Sequence, residues 1–227
     1  MRHRFQLIVF DYDGTLVDSQ HGILRAMTAC FTAQGLVPPD AAAMRQVIGL
    51  SLESAVARLL PDPRDTGLVA RVSENYRQAF LALRSAADYH EPLFPGVRET
   101  LVSLDKDGVR LGIATGKARR GLNASLERHQ LGHHFVTMQT VDTAAGKPDP
   151  EMLYLAMAEA GATPGETVMI GDTSYDMTMA ANAGVAAVGV AWGYHDPVEL
   201  RHCGAAAIAD DFAALPATLS DLSGARA

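Results

Sequence analysis

Four consecutive apolar residues, Leu7-Ile8-Val9-Phe10, run directly into Asp11-Tyr12-Asp13-Gly14-Thr15 near the start of the chain. A strand with no polar alternation is buried on both faces, and such strands belong to parallel sheets covered by helices on each side. Gly14 permits the sharp turn that ends the strand. Asp11 and Asp13 therefore arrive together at the carboxyl end, the edge where open α/β sheets bind ligands. Two acids at one strand end repel each other unless a cation lies between them or they divide the roles of acid and base.

The chain then turns helical. Ser19 is placed to cap a helix through Ile23, Leu24, Met27 and Phe31 that Gly35 ends. Pro38-Pro39-Asp40 opens a second segment with Met44, Val47 and Ile48 at helical spacing, broken by Gly49. Ser51 begins a third, stopped by Pro61 and Pro63, and Asp65 a fourth, with Leu68, Val72, Tyr76, Phe80 and Leu83 on one stripe. No strand pattern interrupts Ser19 to Asp88. From Leu93-Phe94-Pro95-Gly96 onward helices and short apolar strands alternate: Arg110–Ala114, Phe135-Val136, Thr167–Ile170, Ala186–Val190 and Ala206–Ile208 are the strands. That rhythm builds a doubly wound parallel sheet. The expected fold is α/β, a Rossmann-like core of residues 1–18 and 92–227 with a helical cap, residues 19–91, inserted after the first strand. Ser19-Gln20 and Glu91–Gly96 are the two crossings, and the tail after Leu219 is read as frayed.

The 227 residues suffice for such a core and insertion, and 48% of them are hydrophobic. A net charge of −7 argues against nucleic acid or an anionic membrane as partner. It also requires local cations wherever an anionic substrate binds. Only Lys106, Lys117 and Lys147 are lysines, against sixteen arginines. Cys30 and Cys203 show no ligand or redox spacing and read as buried or half-buried small residues. The eight histidines, His133-His134 among them, read as surface groups. Arg2-His3-Arg4 followed by Phe5–Phe10 superficially resembles a secretion signal, but the apolar run is short and ends in acids. No stretch approaches the roughly 20 apolar residues of a membrane span. A cytoplasmic protein, monomer or homodimer, is the expectation.

Three further strand ends carry polar clusters. Thr115-Gly116-Lys117 offers a hydroxyl and an amide ahead of a helix, which suits an anion. Lys147 stands on a loop stiffened by Pro148 and Pro150. Gly171-Asp172 ends another strand, with Asp176 one turn into the next helix. Helix capping accounts for Asp176 but not for Asp172. Carboxylates converging from several strand ends imply a hard divalent cation with oxygen ligands, and Mg2+ fits best.

In this order and context, Asp11-Tyr12-Asp13-Gly14-Thr15, Thr115, Lys147 and Gly171-Asp172…Asp176 resemble the haloacid dehalogenase superfamily of phosphotransferases, and the helical insertion resembles its four-helix cap. Gly14-Thr15-Leu16-Val17-Asp18-Ser19 and Gly146-Lys147-Pro148 are similar to its phosphoglycolate phosphatase group. Arg45-Gln46-Val47-Ile48-Gly49 is similar to that group's substrate-facing turn, while Leu50-Ser51-Leu52 departs from its pattern. The resemblance implies that Asp11 attacks phosphorus and that Asp13 serves as acid and then base. Mg2+ is then held by the Asp11 carboxylate, the Asp13 carbonyl and Asp172, with Asp176 in support. Thr115, Gly116 and Lys147 hold the phosphoryl oxygens, and Thr15 and Arg45 join Gly116 in binding substrate, Arg45 through a carboxylate such as that of 2-phosphoglycolate. The implied activity is hydrolysis of a small phosphorylated metabolite. A pyrophosphatase, a nucleotidase, a sugar-phosphate mutase and a non-catalytic phosphate-binding protein stay open as alternatives. A dehalogenase is disfavoured, because carbon–halogen chemistry needs neither Asp13 nor a metal.

Overall fold

The computed structural model describes residues 5–86 and 89–224, so Arg2-His3-Arg4 and Asp88 lie outside the described residues. Strand β1 (Leu7–Phe10) is followed by helices α1 (Gln20–Ala33), α2 (Ala41–Arg45), α3 (Leu52–Leu59) and α4 (Thr66–Ser85). Then come α5 (Val97–Lys106), β2 (Arg110–Thr115), α6 (Arg119–His129), β3 (Phe135–Thr140), α7 (Glu151–Ala160) and β4 (Thr167–Gly171). The chain closes with α8 (Ser174–Ala183), β5 (Ala186–Val190), α9 (Pro197–His202), β6 (Ala207–Ala209) and α10 (Leu215–Gly224).

The six strands form one parallel sheet in the order β3-β2-β1-β4-β5-β6. β1 sits inside it, between β2 and β4, and its four residues alternate between two cores. Ile8 and Phe10 join Leu101, Leu122 and Leu215 on one face, covered by α5, α6 and α10. Leu7 and Val9 join Met152, Met177 and Leu200 on the other, covered by α7, α8 and α9. Burial on both faces is why the strand lacks polar alternation.

Helices α1–α4 bury a separate apolar cluster that includes Met27, Phe31, Met44, Val56 and Val72. Their starts follow capping chemistry: Asp40, Ser51 and Asp65 each accept a hydrogen bond from the main-chain N–H three residues on. Ser19 precedes α1 without a side-chain cap. Helix α2 ends at Arg45, so Val47 and Ile48 lie in turns, although both are buried. The chain enters and leaves the helical block along paired segments. Asp18 N–H donates to Pro92 O, Phe94 N–H donates to Leu16 O, and Val17 bridges Leu93 in antiparallel fashion.

Three expectations are corrected. The tail after Leu219 is not frayed through Gly224, because α10 spans it and packs Leu215 and Leu219, 0% and 1% exposed, on the sheet. His134 and His195 are buried, not surface groups: His134 faces Asp105, and His195 Nδ1 lies 3.2 Å from Ser174 N. β3 extends past Val136 to Thr140 with Thr137 and Gln139 buried. Polar residues are tolerated there because Thr137 donates to Glu159 and accepts from Gln139. Cys30 is buried and Cys203 half-buried, both as free thiols. Among the described residues no helix is long and apolar enough to cross a membrane.

Leu219→Ala is expected to cost about 2–5 kcal/mol of stability, the usual range for emptying a buried leucine site. The exposed neighbour Ser220→Ala should cost almost nothing. Urea unfolding measures both, and a Leu219→Ala midpoint equal to wild type would mean that α10 is not part of the core.

Candidate active site

The carboxyl ends of β1, β2 and β4 converge, and so do the residues that follow them. One carboxylate oxygen each from Asp11, Asp172 and Asp176 lies within 4.8 Å of the others, and all three residues are buried. Among the described residues, Lys147 Nζ is the one cation placed among them, 2.7 Å from Asp11 Oδ1 and 2.6 Å from Asp176 Oδ1. Main-chain and hydroxyl donors aim these carboxylates. Asp11 Oδ1 accepts from Tyr12 N–H, Asp172 Oδ1 from Thr15 Oγ1 at 2.8 Å, and Asp172 Oδ2 from Tyr194 N–H at 3.0 Å. Asp176 Oδ2 closes a capping box at the start of α8 by accepting from Thr173 N–H and Oγ1.

Packing around these carboxylates leaves no room for a side chain. A Cβ on Gly193 would lie 2.0 Å from Asp172 Cβ, and one on Gly171 2.4 Å from Asp176 Cγ. Gly14, at φ +90°, would place a Cβ 2.2 Å from Asp172 Oδ2.

Three acids share one lysine in a dry site, and their protonation reflects it. Burial pushes Asp172 up to about 7, with the Asp176 charge adding to the shift. Burial also holds Asp11 well above the usual carboxylate range, against the opposing pull of Lys147. Desolvation alone would lower the Lys147 ammonium, but the Asp11 and Asp176 charges raise it above its ordinary value.

A hard divalent cation fits this donor set. The ligating atoms are all carboxylate oxygens, and the buried Asp11 Oδ2 has no hydrogen-bond partner. The Asp13 side chain is not in the cluster. Its carboxylate is held by Lys117 Nζ at 2.7 and 3.0 Å, which leaves the main-chain carbonyl as the group Asp13 has to offer a cation.

Lys117 makes contacts that its place in the sequence does not reveal. It was expected only as part of an anion-binding turn, yet it lies 3.5 Å from Glu91 as well as on Asp13, with the Tyr12 and Phe80 rings nearby. Glu91 in turn accepts from Ser125, which accepts from Tyr12. The signal available was the scarcity of lysine in the chain.

A cavity of about 760 Å3 opens between helices α1–α4 and this edge of the sheet. Asp11, Asp13, Thr115 and Gly116 line it, while Asp172, Asp176 and Lys147 lie behind Asp11. The helical block is docked closely. A Cβ on Gly116 would lie 2.5 Å from Leu50 O and 2.7 Å from Gly49 O, so this main-chain contact requires a glycine. Tyr175 Oη donates to Gln46 O and accepts from Arg58, joining α8 to the same block.

Two expected substrate-binding groups are placed elsewhere. Thr15 is fully buried with its hydroxyl committed to Asp172, so it orients that carboxylate and does not line the cavity. Arg45, on the last turn of α2, is also absent from the cavity wall, because the residues of that segment facing inward are Met44, Val47 and Ile48. The wall carries other arginines: Arg77 and Arg84 from α4, and Arg120 from α6. Trp192 and Tyr194 do border the site. Trp192 Nε1 donates to Thr15 O, and Tyr194 Oη accepts from Ser19 N–H.

A family model described as haloacid dehalogenase-like hydrolase matches residues 8–190. The chain belongs to this family. A Dickeya dadantii protein named "Probable phosphatase IndB" is 37% identical over 209 residues, 91% of this chain and 90% of its own length. A Pseudomonas putida phosphoglycolate phosphatase is 33% identical over 215 residues, covering 92% and 78% of the two chains. Among solved structures, a hydrolase from Pseudomonas syringae superposes with a TM-score of 0.84 over 95% of this chain and 98% of that one, at 28% identity. The acidic cluster described above thus sits in a haloacid dehalogenase-like hydrolase.

Below the folded-state value near 7, Asp172 keeps a proton that an ordinary carboxyl has lost, so cation and proton compete for the same oxygens. Stability tied to that proton is lost as pH rises from the ordinary carboxyl value of about 4 to about 7, and a cation bound there would take the proton's place. The increase in Tm on adding Mg2+ to EDTA-treated protein is therefore expected to be larger at pH 8 than at pH 5. An equal increase at both pH values, or none at either, would contradict the cation assignment.

Proposed function

We propose that this hydrolase is a Mg2+-dependent phosphatase that cleaves a small phosphomonoester through a phosphorylated Asp11. The observation that carries this reading is the buried convergence of Asp11, Asp172 and Asp176 with Lys147 behind a cavity that Asp11 itself lines. Relatives named as phosphatases support the reaction class, and those named phosphoglycolate phosphatase support 2-phosphoglycolate as a candidate substrate.

Asp11 is the carboxylate that both faces the cavity and keeps one oxygen free of hydrogen bonds, as a nucleophile requires. Lys147 neutralises Asp11 and Asp176 and fixes the Asp11 carboxylate in one orientation. Thr115, at the end of β2 and on the cavity wall, supplies a hydroxyl and Gly116 an amide toward phosphoryl oxygens. Asp13 shares the cavity and gives a proton to the leaving oxygen, then takes one from the attacking water. Its pairing with Lys117 suits the second of these steps, and the pair must part before the first. Mg2+, held by Asp11, Asp172, Asp176 and the Asp13 carbonyl, would supply positive charge against the repulsion between carboxylate and phosphate. Residues 19–91 act as a cap, with residues 1–18 and 92–227 as the core. The close docking of Gly49 and Leu50 on Gly116 holds the helical block against the sheet edge beside the reacting groups.

p-Nitrophenyl phosphate should be hydrolysed by the wild-type chain, with activity lost in EDTA and restored by Mg2+. Asp11→Asn should lower kcat by at least about a hundredfold, since loss of a nucleophile costs several decades in rate. Retention of more than about a hundredth of the activity by Asp11→Asn would overturn the assignment of Asp11.

A further inference from the structure

Among the described residues, two cations of the cavity wall lack an ion-pair partner. The acids of the wall are Asp11, Asp13, Glu53, Glu74 and Asp142, and each already has a donor. Lys147 takes Asp11 and Lys117 takes Asp13. Arg77 takes both Glu53 and Glu74, and Asp142 accepts from the Arg119 N–H that opens α6. Among the described residues, no acid pairs with the two remaining cations of the wall, Arg84 and Arg120.

These two come from opposite sides of the cavity. Arg84 lies on α4 four residues beyond Phe80 and three beyond Leu81, so helical spacing puts it on the face that lines the cavity. Arg120 is in the first turn of α6, three residues beyond Lys117. A guanidinium group that faces a cavity with no ion-pair partner gains from an anion brought within reach of its N–H groups. The phosphoryl group of a substrate does not meet this need, because Asp11, Thr115, Gly116 and Lys147 already define its place. Between the two regions the wall is apolar, with Ile23, Met27, Met44, Ile48, Phe80 and Leu81 exposed to the cavity. A volume of about 760 Å3 is in the range of sites that take ligands of drug size, well beyond what glycolate fills.

We propose that Arg84 and Arg120 determine substrate specificity by holding a second anionic group, carboxylate or phosphate, on a leaving group whose body is apolar. This deepens the phosphatase reading and rests on it for the position of the first anion.

Binding tests this independently of turnover. Calorimetry with the full chain compares benzylphosphonate, 4-carboxybenzylphosphonate and p-xylylenediphosphonate, which share one body and differ in the second anion. Wild type is expected to bind at least one of the doubly anionic ligands about tenfold more tightly than benzylphosphonate, the scale of a charge-assisted hydrogen bond. The tighter of the two names the second anion as carboxylate or phosphate. In Arg84→Gln/Arg120→Gln that preference should fall to within about threefold, while the benzylphosphonate Kd changes by less than about threefold and shows that the site is intact. Equal Kd values for all three ligands in wild type, or a preference that survives in the double variant, would overturn the proposal. Failure of the phosphatase reading has a different signature: wild type would bind these ligands yet leave phenyl phosphate unhydrolysed.

Discussion

Asp11, Asp172 and Asp176 are crowded into a buried space with the single ammonium of Lys147, and much of the sheet edge is arranged to hold them there. Left alone, three like charges in a dry site separate or take up protons. Here they are fixed from outside. Thr15 and Tyr194 hold Asp172, the start of α8 holds Asp176, and Tyr12 N–H holds Asp11. Glycines at 14, 171 and 193 let the main chain approach these carboxylates more closely than any Cβ permits. The stability this arrangement costs is tolerable because two separate apolar cores, one on each face of the sheet, anchor the strands that deliver the acids.

Most of the fold is legible in the sequence because its signals are local. Leu7–Phe10 carries no polar residue, so a doubly buried strand is the natural reading, and the helical starts at Asp40, Ser51 and Asp65 follow from side chains that satisfy free N–H groups. The acids at the strand ends are legible for a related reason, since a parallel sheet brings every carboxyl end to one edge. What was missed depends on contacts distant in sequence. The α10 helix is short and ends in Ser-Gly, and the sheet surface under Leu215 and Leu219 is what makes it stable. Thr137 and Gln139 disguise β3 because their buried polar groups find partners on α7 and within the strand itself. Thr15 looked available for substrate, but its neighbour across the fold is Asp172, 157 residues away.

The same limitation governs the cavity. Sequence spacing singled out Arg45 because it precedes the Gly49 turn, yet α2 turns Met44, Val47 and Ile48 inward and leaves the arginine out of the wall. Lys117, by contrast, is brought by β2 to Asp13 and to Glu91 on the segment that returns from the helical block. One ammonium thereby touches both the core edge and a crossing segment. The contacts of Gly116 with Gly49 and Leu50, and of Tyr175 with Gln46 and Arg58, tie the same two regions together at other points. Closure of the helical block over the sheet edge is consequently a property of main-chain fit as much as of charge.

The central claim is that phosphate passes through the Asp11 carboxylate, and trapping it there is the most direct measurement. Asp13→Asn keeps the nucleophile but removes the base for the second step, and p-nitrophenolate leaves without help from an acid. Rapid mixing of this variant with p-nitrophenyl phosphate and Mg2+ is predicted to release a burst of about one nitrophenolate per site. Acid quenching and peptide mapping should then find the phosphate on Asp11. Steady release with no burst, or phosphate on any other residue, would contradict the account.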